Sequence, residues 1–353
     1  MARVGIVIGA NYGDEGKGTV VARYTSRSYG ALNVLTNGGA QRAHSILTKD
    51  GSMTFQHFGS GTYHGADSYF SRFFILNPMQ FAKEYETLLV KPAHIYRDKR
   101  CIWSTPYDSM ANMIAKRSYN TCGMGIWNTI KRFRTPFSML FDDFMSSDLE
   151  GKLSYMSKVR EYYEGLMAIP QSWKDIWNSE ILVANFIADC AFMNSLTETS
   201  SLSEMDYDDI IFENGQGLLL CDTGADTDDT TPSNTGIAYA KELLKEIKDV
   251  TDVTAHYVTR PYLTRHGDGD MENQTSRRIL SSDVCEDRTN RFNEFQGEFR
   301  YGILDIRSLE RRIREDAGDI RFEVELTHCD EMDRTEEFRK TFGCVNIYDS
   351  PFI

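Results

Sequence analysis

The apolar positions of this chain fall into short blocks separated by glycine and polar clusters. Residues 4–8 form a β-branched run, the pattern of a buried strand, and a glycine loop follows directly. Residues 19–24 carry the spacing of a helix's first turns. Residues 31–35 read as a second strand running into Asn37-Gly38-Gly39, and 73–76 is a third apolar run stopped by Asn77-Pro78. Helical spacing follows over 79–89. The stretch from about 137 to 200 is helical and rich in Met, Tyr and Trp, a composition that belongs to packed helices more often than to a cofactor site. Further strands are predicted at 210–212, 253–258 and 322–326, with an amphipathic helix at 237–247. An acidic, Thr-rich loop spans 222–235, and 264–302 is dense in Arg, Asp, Asn and Gly, the make-up of a long functional loop region.

Strands that alternate with helices predict an α/β fold with a mostly parallel sheet, flanked by helices, in one large domain over 1–353. In such sheets ligands lie beyond the carboxyl ends of the strands. The polar and glycine clusters fall at those ends, so the candidate chemistry is sought there.

Charge and cysteine content narrow the class. Thirty-nine Lys and Arg against 52 Asp and Glu leave a net charge of −13. That balance argues against nucleic-acid or anionic-membrane partners, which need surplus cations, but leaves room for a small anionic substrate. No apolar run approaches the ~20 residues of a membrane span, and the start is too soon interrupted by glycine for a signal peptide. The 7 cysteines show no metal-ligand spacing and read as free thiols, so a cytoplasmic setting is expected.

The first loop, Gly13-Asp14-Glu15-Gly16-Lys17-Gly18, offers an anion several backbone N–H groups, one ammonium and a helix N-terminus. It departs from GxxxxGK[ST] at Asn11 and Gly18. A plain glycine turn with a surface lysine is the bland alternative, and the two carboxylates weigh against it. Carboxylates repel phosphate unless a metal or a proton transfer gives them a role.

That loop resembles the GDEGKG signature of the adenylosuccinate synthetases. Further matches follow in the same order. Asn37-Gly38-Gly39-Ala40-Gln41-Arg42-Ala43-His44 resembles the family's Gly-Gly-His-Asn-Ala-Gly-His loop. Glu213-Asn214-Gly215-Gln216-Gly217 resembles its Glu-Gly-Ala-Gln-Gly strand end, Pro232-Ser233-Asn234-Thr235 its Ser-Asn-Thr turn, and Leu326-Thr327-His328-Cys329-Asp330 its Leu-Thr-Lys-Leu-Asp motif. The likeness spans about residues 4–330. It implies a P-loop-NTPase-like single domain, with a helical insertion at about 137–200 and a substrate loop region at about 264–302.

The resemblance also implies a ligase that joins L-aspartate to C6 of a purine nucleoside monophosphate through a 6-phosphoryl intermediate. Asp14 would be the base that removes the purine N1 proton, with His44 and Gln216 the other catalytic groups. Gly13, Glu15, Gly16, Lys17, Gly18, Ala43, His44, Ser45, Thr327, His328, Asp330, Ser350 and Pro351 would bind the triphosphate. Asp14, Asn37, Gln41, Thr121, Cys122, Gln216 and Thr231 would bind the monophosphate, joined by Arg134 acting in trans across a homodimer. Mg²⁺ would sit on Asp14 and the Ala43 carbonyl. Arg288, Arg291 and Arg300 are the candidates for the aspartate carboxylates, which suit bidentate guanidinium.

Departures from the pattern bear on the substrate. Most of the substrate-loop arginines are missing, among them one near Gly297 that in the family reaches the ribose hydroxyl. Losing that donor removes the penalty a 2′-deoxyribose would otherwise incur. His328 replaces a lysine, and Tyr348-Asp349-Ser350-Pro351 replaces the guanine loop, which opens the donor site to ATP or dATP. These departures resemble the phage branch that uses dGMP on the way to 2-aminoadenine DNA. Asp14 suits guanine and hypoxanthine alike. A housekeeping enzyme using IMP and GTP, and a nucleotide-binding regulator without chemistry, therefore stand as the alternatives.

Overall fold

The computed structural model describes residues 1–28, 30–49, 51–115, 121–221, 230–284, 287, 294–350 and 352. Its centre is β1 (Ala2–Gly9), buried at every position except Arg3. A strand covered on both faces reads as a continuous apolar run, which is why the sequence shows no alternation there. In chain order the other strands of the sheet are β2 (Leu32–Leu35), β3 (Asp67–Phe70), β4 (Ile95–Arg97), β5 (Glu198–Thr199), β6 (Asp209–Gly217), β7 (Val250–Thr259), β8 (Phe322–Leu326) and β9 (Val345–Ile347). Their order is β9-β8-β7-β1-β6-β2-β3-β4-β5, and every ladder between them is parallel. Order reverses at β1, between β6 and β7, the kind of switch point where open α/β sheets bind ligands.

Two apolar cores flank the sheet. One joins β1, β6, β7 and β8 to the helices Ala238–Leu244 and Ile306–Ala317. The other is aromatic and includes the helices of the predicted 137–200 insertion, Leu149–Leu166 and Glu180–Leu196 among them. A buried ion pair, Arg132 to Asp108 at 2.9 Å, ties that helical layer together. Arg132 also donates to the Tyr155 hydroxyl at 2.7 Å and to the Trp103 carbonyl at 2.9 Å.

Three features differ from the sequence expectation. The apolar run at 73–76 is not the sheet's next strand: Phe74–Ile75 pairs with Gly38–Gly39 outside it. The next strand is Asp67–Phe70, whose polar residues hid it. Asp67 is buried because its carboxylate accepts from the His94 N–H and the Tyr207 hydroxyl, both at 2.7 Å. The 264–302 region is partly ordered as a three-stranded antiparallel sheet of Leu263–His266, Gln274–Thr275 and Phe299–Gly302. No helix among the described residues is long and apolar enough to cross a membrane, and the six described cysteines are free thiols.

Candidate active site

The carboxyl ends of β1, β2, β6, β7 and β8 converge on the glycine loop. Gly16, at φ 92, leads into the helix Lys17–Thr25 with no side chain capping it, so the helix's positive end stays open. Glu15 folds back into the loop. Its Oε1 accepts the N–H groups of Asn11 at 3.0 Å and Gly13 at 2.8 Å, and its Oε2 lies 3.1 Å from the Lys17 ammonium. The cradle's donors and its cation thus hold a carboxylate. Close approach of the β1 and β6 ends requires glycine: a Cβ on Gly217 would sit 2.3 Å from the Asn11 carbonyl. Gly18 is equally constrained, since a Cβ there would lie 2.7 Å from the Ser45 carbonyl and 3.2 Å from the Ser60 hydroxyl. That contact explains the missing Ser or Thr of the P-loop pattern.

Asp14 takes a φ of 60, a left-handed conformation uncommon for a side-chain-bearing residue. Arg260 holds it there, donating from Nε to the Asp14 carbonyl at 2.8 Å. Burial pushes the Asp14 carboxyl above its ordinary range, against the opposing fields of His266, Lys17 and Arg260. Gln216 is also left-handed, at φ 57, and its Oε1 is buried with no hydrogen-bond partner among the described residues. The Gln41 carbonyl oxygen is in the same condition, while its Nε2 lies 3.4 Å from the Thr231 hydroxyl. Both amides border Gly38, where a Cβ would meet each at 3.4 Å. Two unmatched acceptors flanking Gly38 suit a ligand with N–H groups.

His44 opens the adjoining strand and is nearly buried. Its Nδ1 lies 2.5 Å from Oε1 of Glu213, on β6. Glu213 also accepts the Ser60 N–H at 2.9 Å and its hydroxyl at 2.8 Å, and Oε1 is 3.1 Å from Nη2 of Arg42. Burial pushes Glu213 up, but the Arg42 charge and the His44 and Ser60 hydrogen bonds outweigh it and bring it to about 2. An ionised carboxylate only accepts, so His44 Nδ1 is the donor and Nε2 carries the ring's lone pair. Burial brings His44 down to about 4, a neutral ring near pH 7.

A family model described as adenylosuccinate synthetase matches residues 6–342. The chain belongs to the adenylosuccinate synthetase family. A relative named adenylosuccinate synthetase from Blochmanniella pennsylvanica is 24% identical over 235 residues, covering 62% of this chain and 53% of the relative, so the chain spans about half of that protein's length. Two solved structures share the fold. One is a fully ligated adenylosuccinate synthetase from Plasmodium falciparum, with a TM-score of 0.68 at 18% identity, covering 95% of this chain and 79% of that one. The other is the cyanophage S-2L succinoaminodeoxyadenylate synthetase bound to dGMP and dATP, with a TM-score of 0.70 at 11% identity, covering 100% and 94%.

The other residues that family likeness singles out are distributed as follows. Asn37 is fully buried and joins the strand ends, donating to the Ser233 hydroxyl at 3.0 Å and accepting from the Gly215 N–H at 2.8 Å. Thr327 lies against the glycine loop, its hydroxyl 2.6 Å from the Glu15 carbonyl, and His328 follows at φ 56 with Nδ1 2.9 Å from that hydroxyl. Asp330 is exposed, and Ser350 accepts the Phe352 N–H at 3.2 Å. The Thr121 hydroxyl lies 2.5 Å from the Asn112 amide oxygen, and burial pushes the neighbouring Cys122 thiol up to about 11. A Cβ on Gly123 would touch the Phe295 ring at 3.3 Å, so this loop packs against the segment that holds Phe295. Arg134 is exposed at the end of the helix Ile126–Phe133. Arg300 is tied to its own small sheet through Gln274 at 3.0 Å and the Gly269 carbonyl at 2.9 Å, with Nε left buried and unpartnered among the described residues. Arg288, Arg291 and Pro351 lie outside the described residues.

For a hard cation the donor set fits. Asp14 offers an oxygen whose burial a positive charge would relieve, and Ala43 is exposed in a loop, where its backbone carbonyl is a hard oxygen donor. Another cluster with ligand-like spacing, His256, Glu323 and Glu325, lies within the sheet. Its atoms are already bonded to Tyr24, Asn346 and Tyr348, and it reads as an internal polar network.

Sequence reasoning assigned no role to Arg42, Glu213 or Arg260. Glu213 and Arg42 stood inside quoted motifs, and only their contacts reveal them. Arg260 had a usable signal: it follows the carboxyl end of β7, where such sheets place their functional groups.

Proposed function

We propose that the protein ligates L-aspartate to C6 of a purine nucleoside monophosphate through a 6-phosphoryl intermediate, with dGMP as the purine substrate and ATP or dATP as the donor. The observation that carries this is Asp14, a carboxylate held in a left-handed turn and raised by burial; the unmatched acceptors of Gln216 and Gln41, which flank Gly38, add groups for a ligand's N–H donors. A base whose proton affinity is raised takes the N1 proton more readily, which makes O6 nucleophilic. O6 then attacks the terminal phosphorus and the diphosphate leaves. Lys17 offsets the charge that develops there, and His44 joins it once Nε2 also carries a proton. The aspartate amine next displaces phosphate from C6. The donor phosphates would take over the backbone N–H groups that Glu15 now occupies. Asp14 and the Ala43 carbonyl would hold Mg²⁺, which supplies charge neutralisation to the phosphates.

The choice of dGMP is supported by the substrate region. Gly297 is buried at φ 66, with no side chain to reach a ribose hydroxyl. The cyanophage enzyme that shares the fold binds dGMP and dATP. Exposed Arg134 is free to reach a second copy of the chain, which supports a homodimer. One assay tests the whole reading: phosphate release with aspartate and a mixture of dGMP and IMP, with each donor in turn. Faster use of dGMP is expected. Faster use of IMP would assign the housekeeping reaction, and no release with any combination would leave a nucleotide-binding regulator.

A further inference from the structure

Arg42 is the most conspicuous buried charge that the reaction scheme leaves unused. Its side chain is 0% exposed, and so is that of its partner Glu213, at 3.1 Å. None of its three guanidinium nitrogens has a hydrogen bond of good geometry among the described residues, so it acts on Glu213 as a charge. The Phe74 ring lies 5.8 Å from the guanidinium carbon. A cation in that setting is retained only if its charge is used, because burying it is costly.

Its path explains how it fits. The aliphatic stem crosses Gly215, where a Cβ would lie 2.9 Å from Cγ and 3.1 Å from Cδ of Arg42. An alanine at 215 would therefore push the stem aside. In the motifs that the two loops resemble, alanine stands at both places. Here the pair has become arginine and glycine, a large residue facing a vacated one.

We propose that Arg42 is a positioning residue: its buried charge holds the Glu213 carboxylate where it fixes the ring of His44, and the missing side chain at Gly215 admits it. The chain of contacts is short. Arg42 faces Glu213 Oε1, and the same oxygen receives the proton on His44 Nδ1. With Nδ1 committed to Glu213, Nε2 is the nitrogen left to serve the reaction. The catalytic part of this inference rests on the role proposed for His44. The orientation of the ring does not.

Two measurements on Arg42→Ala, Arg42→Lys, Gly215→Ala and the Arg42→Ala/Gly215→Ala double variant test it. Nitrogen NMR of ¹⁵N-histidine-labelled protein reads the His44 tautomer directly. The Nδ1–H form should dominate in the parent and in Arg42→Lys, and lose dominance in Arg42→Ala. In steady-state kinetics Arg42→Ala should lower kcat about ten-fold or more, the size typical when the group orienting a functional histidine is removed. Every KM should stay within about two-fold. Gly215→Ala should lower kcat as well, yet have no further effect once Arg42 is already alanine, because the clash is then gone. An unchanged tautomer in folded Arg42→Ala, or fully additive effects of the two substitutions, would overturn the proposal. A parent protein without ligase activity would sink the proposed reaction while the tautomer experiment still decided this point.

Discussion

Asp14 and Gly18 show how single positions in one loop answer to different demands. Asp14 keeps a strained φ of 60 because Arg260 grips its carbonyl, and strain maintained in this way concentrates at functional sites. Asp14→Asn keeps the shape and removes the base. Turnover should fall by roughly 10²–10⁴-fold, the usual contribution of a positioned base, with nucleotide binding still measurable by calorimetry. Near-parental rates would refute the assignment. Gly18→Ser would restore the P-loop pattern and yet should destabilise the protein by about 1–3 kcal/mol, because the new Cβ meets the Ser45 carbonyl at 2.7 Å. Denaturant titration reads that loss directly.

At the level of elements, the two arginines of the segment 131–134 have opposite tasks. Arg132 is buried and paired with Asp108, with Tyr155 and Trp103 completing its hydrogen bonds. Removing one member of a buried pair leaves the other charge stranded, so Arg132→Ala should cost about 3–5 kcal/mol in urea unfolding. Arg134 is exposed, and Arg134→Ala should leave the unfolding midpoint unchanged. If Arg134 serves a neighbouring subunit, Arg134→Ala mixed with Asp14→Asn should regain activity that neither shows alone, since one mixed site then carries both native groups. Mixtures as inactive as their components would remove the trans role.

For the molecule as a whole, the buried histidines set its tolerance of acid. His57 is fully buried among Phe58, Phe70, Phe74 and Phe81, and its Nε2 accepts the Asn77 N–H at 3.0 Å. Burial first, and the Arg42 charge second, bring it down to about 3. His44 is lowered to about 4, chiefly by burial. Between the unfolded value near 6.5 and those folded values the unfolded chain binds more protons. The stability contributed by neutral His57 is therefore complete above pH ~6.5 and is lost as pH falls toward 3, up to about 5 kcal/mol. Denaturant midpoints at pH 7 and pH 4 should differ markedly in the parent and less in His57→Gln. Equal differences would place the acid sensitivity elsewhere.

Much of this was legible in the order of residues alone. The β-branched run of β1, the glycine loop after it and the polar clusters at strand ends announced a parallel α/β sheet with glycine and polar clusters gathered at its carboxyl edge, because burial on both faces and close backbone approach each demand particular residue types. The family motifs were visible for the same reason: Asp14, Lys17, His44 and Gln216 lie in compact strings whose spacing is set by one turn of backbone. What the chain order hid is everything that depends on partners distant along it. Asp67–Phe70 is a strand because His94 and Tyr207 satisfy Asp67. Glu15 faces its own loop because the backbone donors there have an acceptor within reach. Arg42 meets Glu213 across 171 positions of sequence, over a glycine at 215 that only the folded backbone brings beneath it. Periodicity and local motifs encode which surfaces are buried and which backbone turns are possible. Which charges neutralise one another inside is decided by packing, since a buried ion is stable only beside the counter-charge that the tertiary fold delivers.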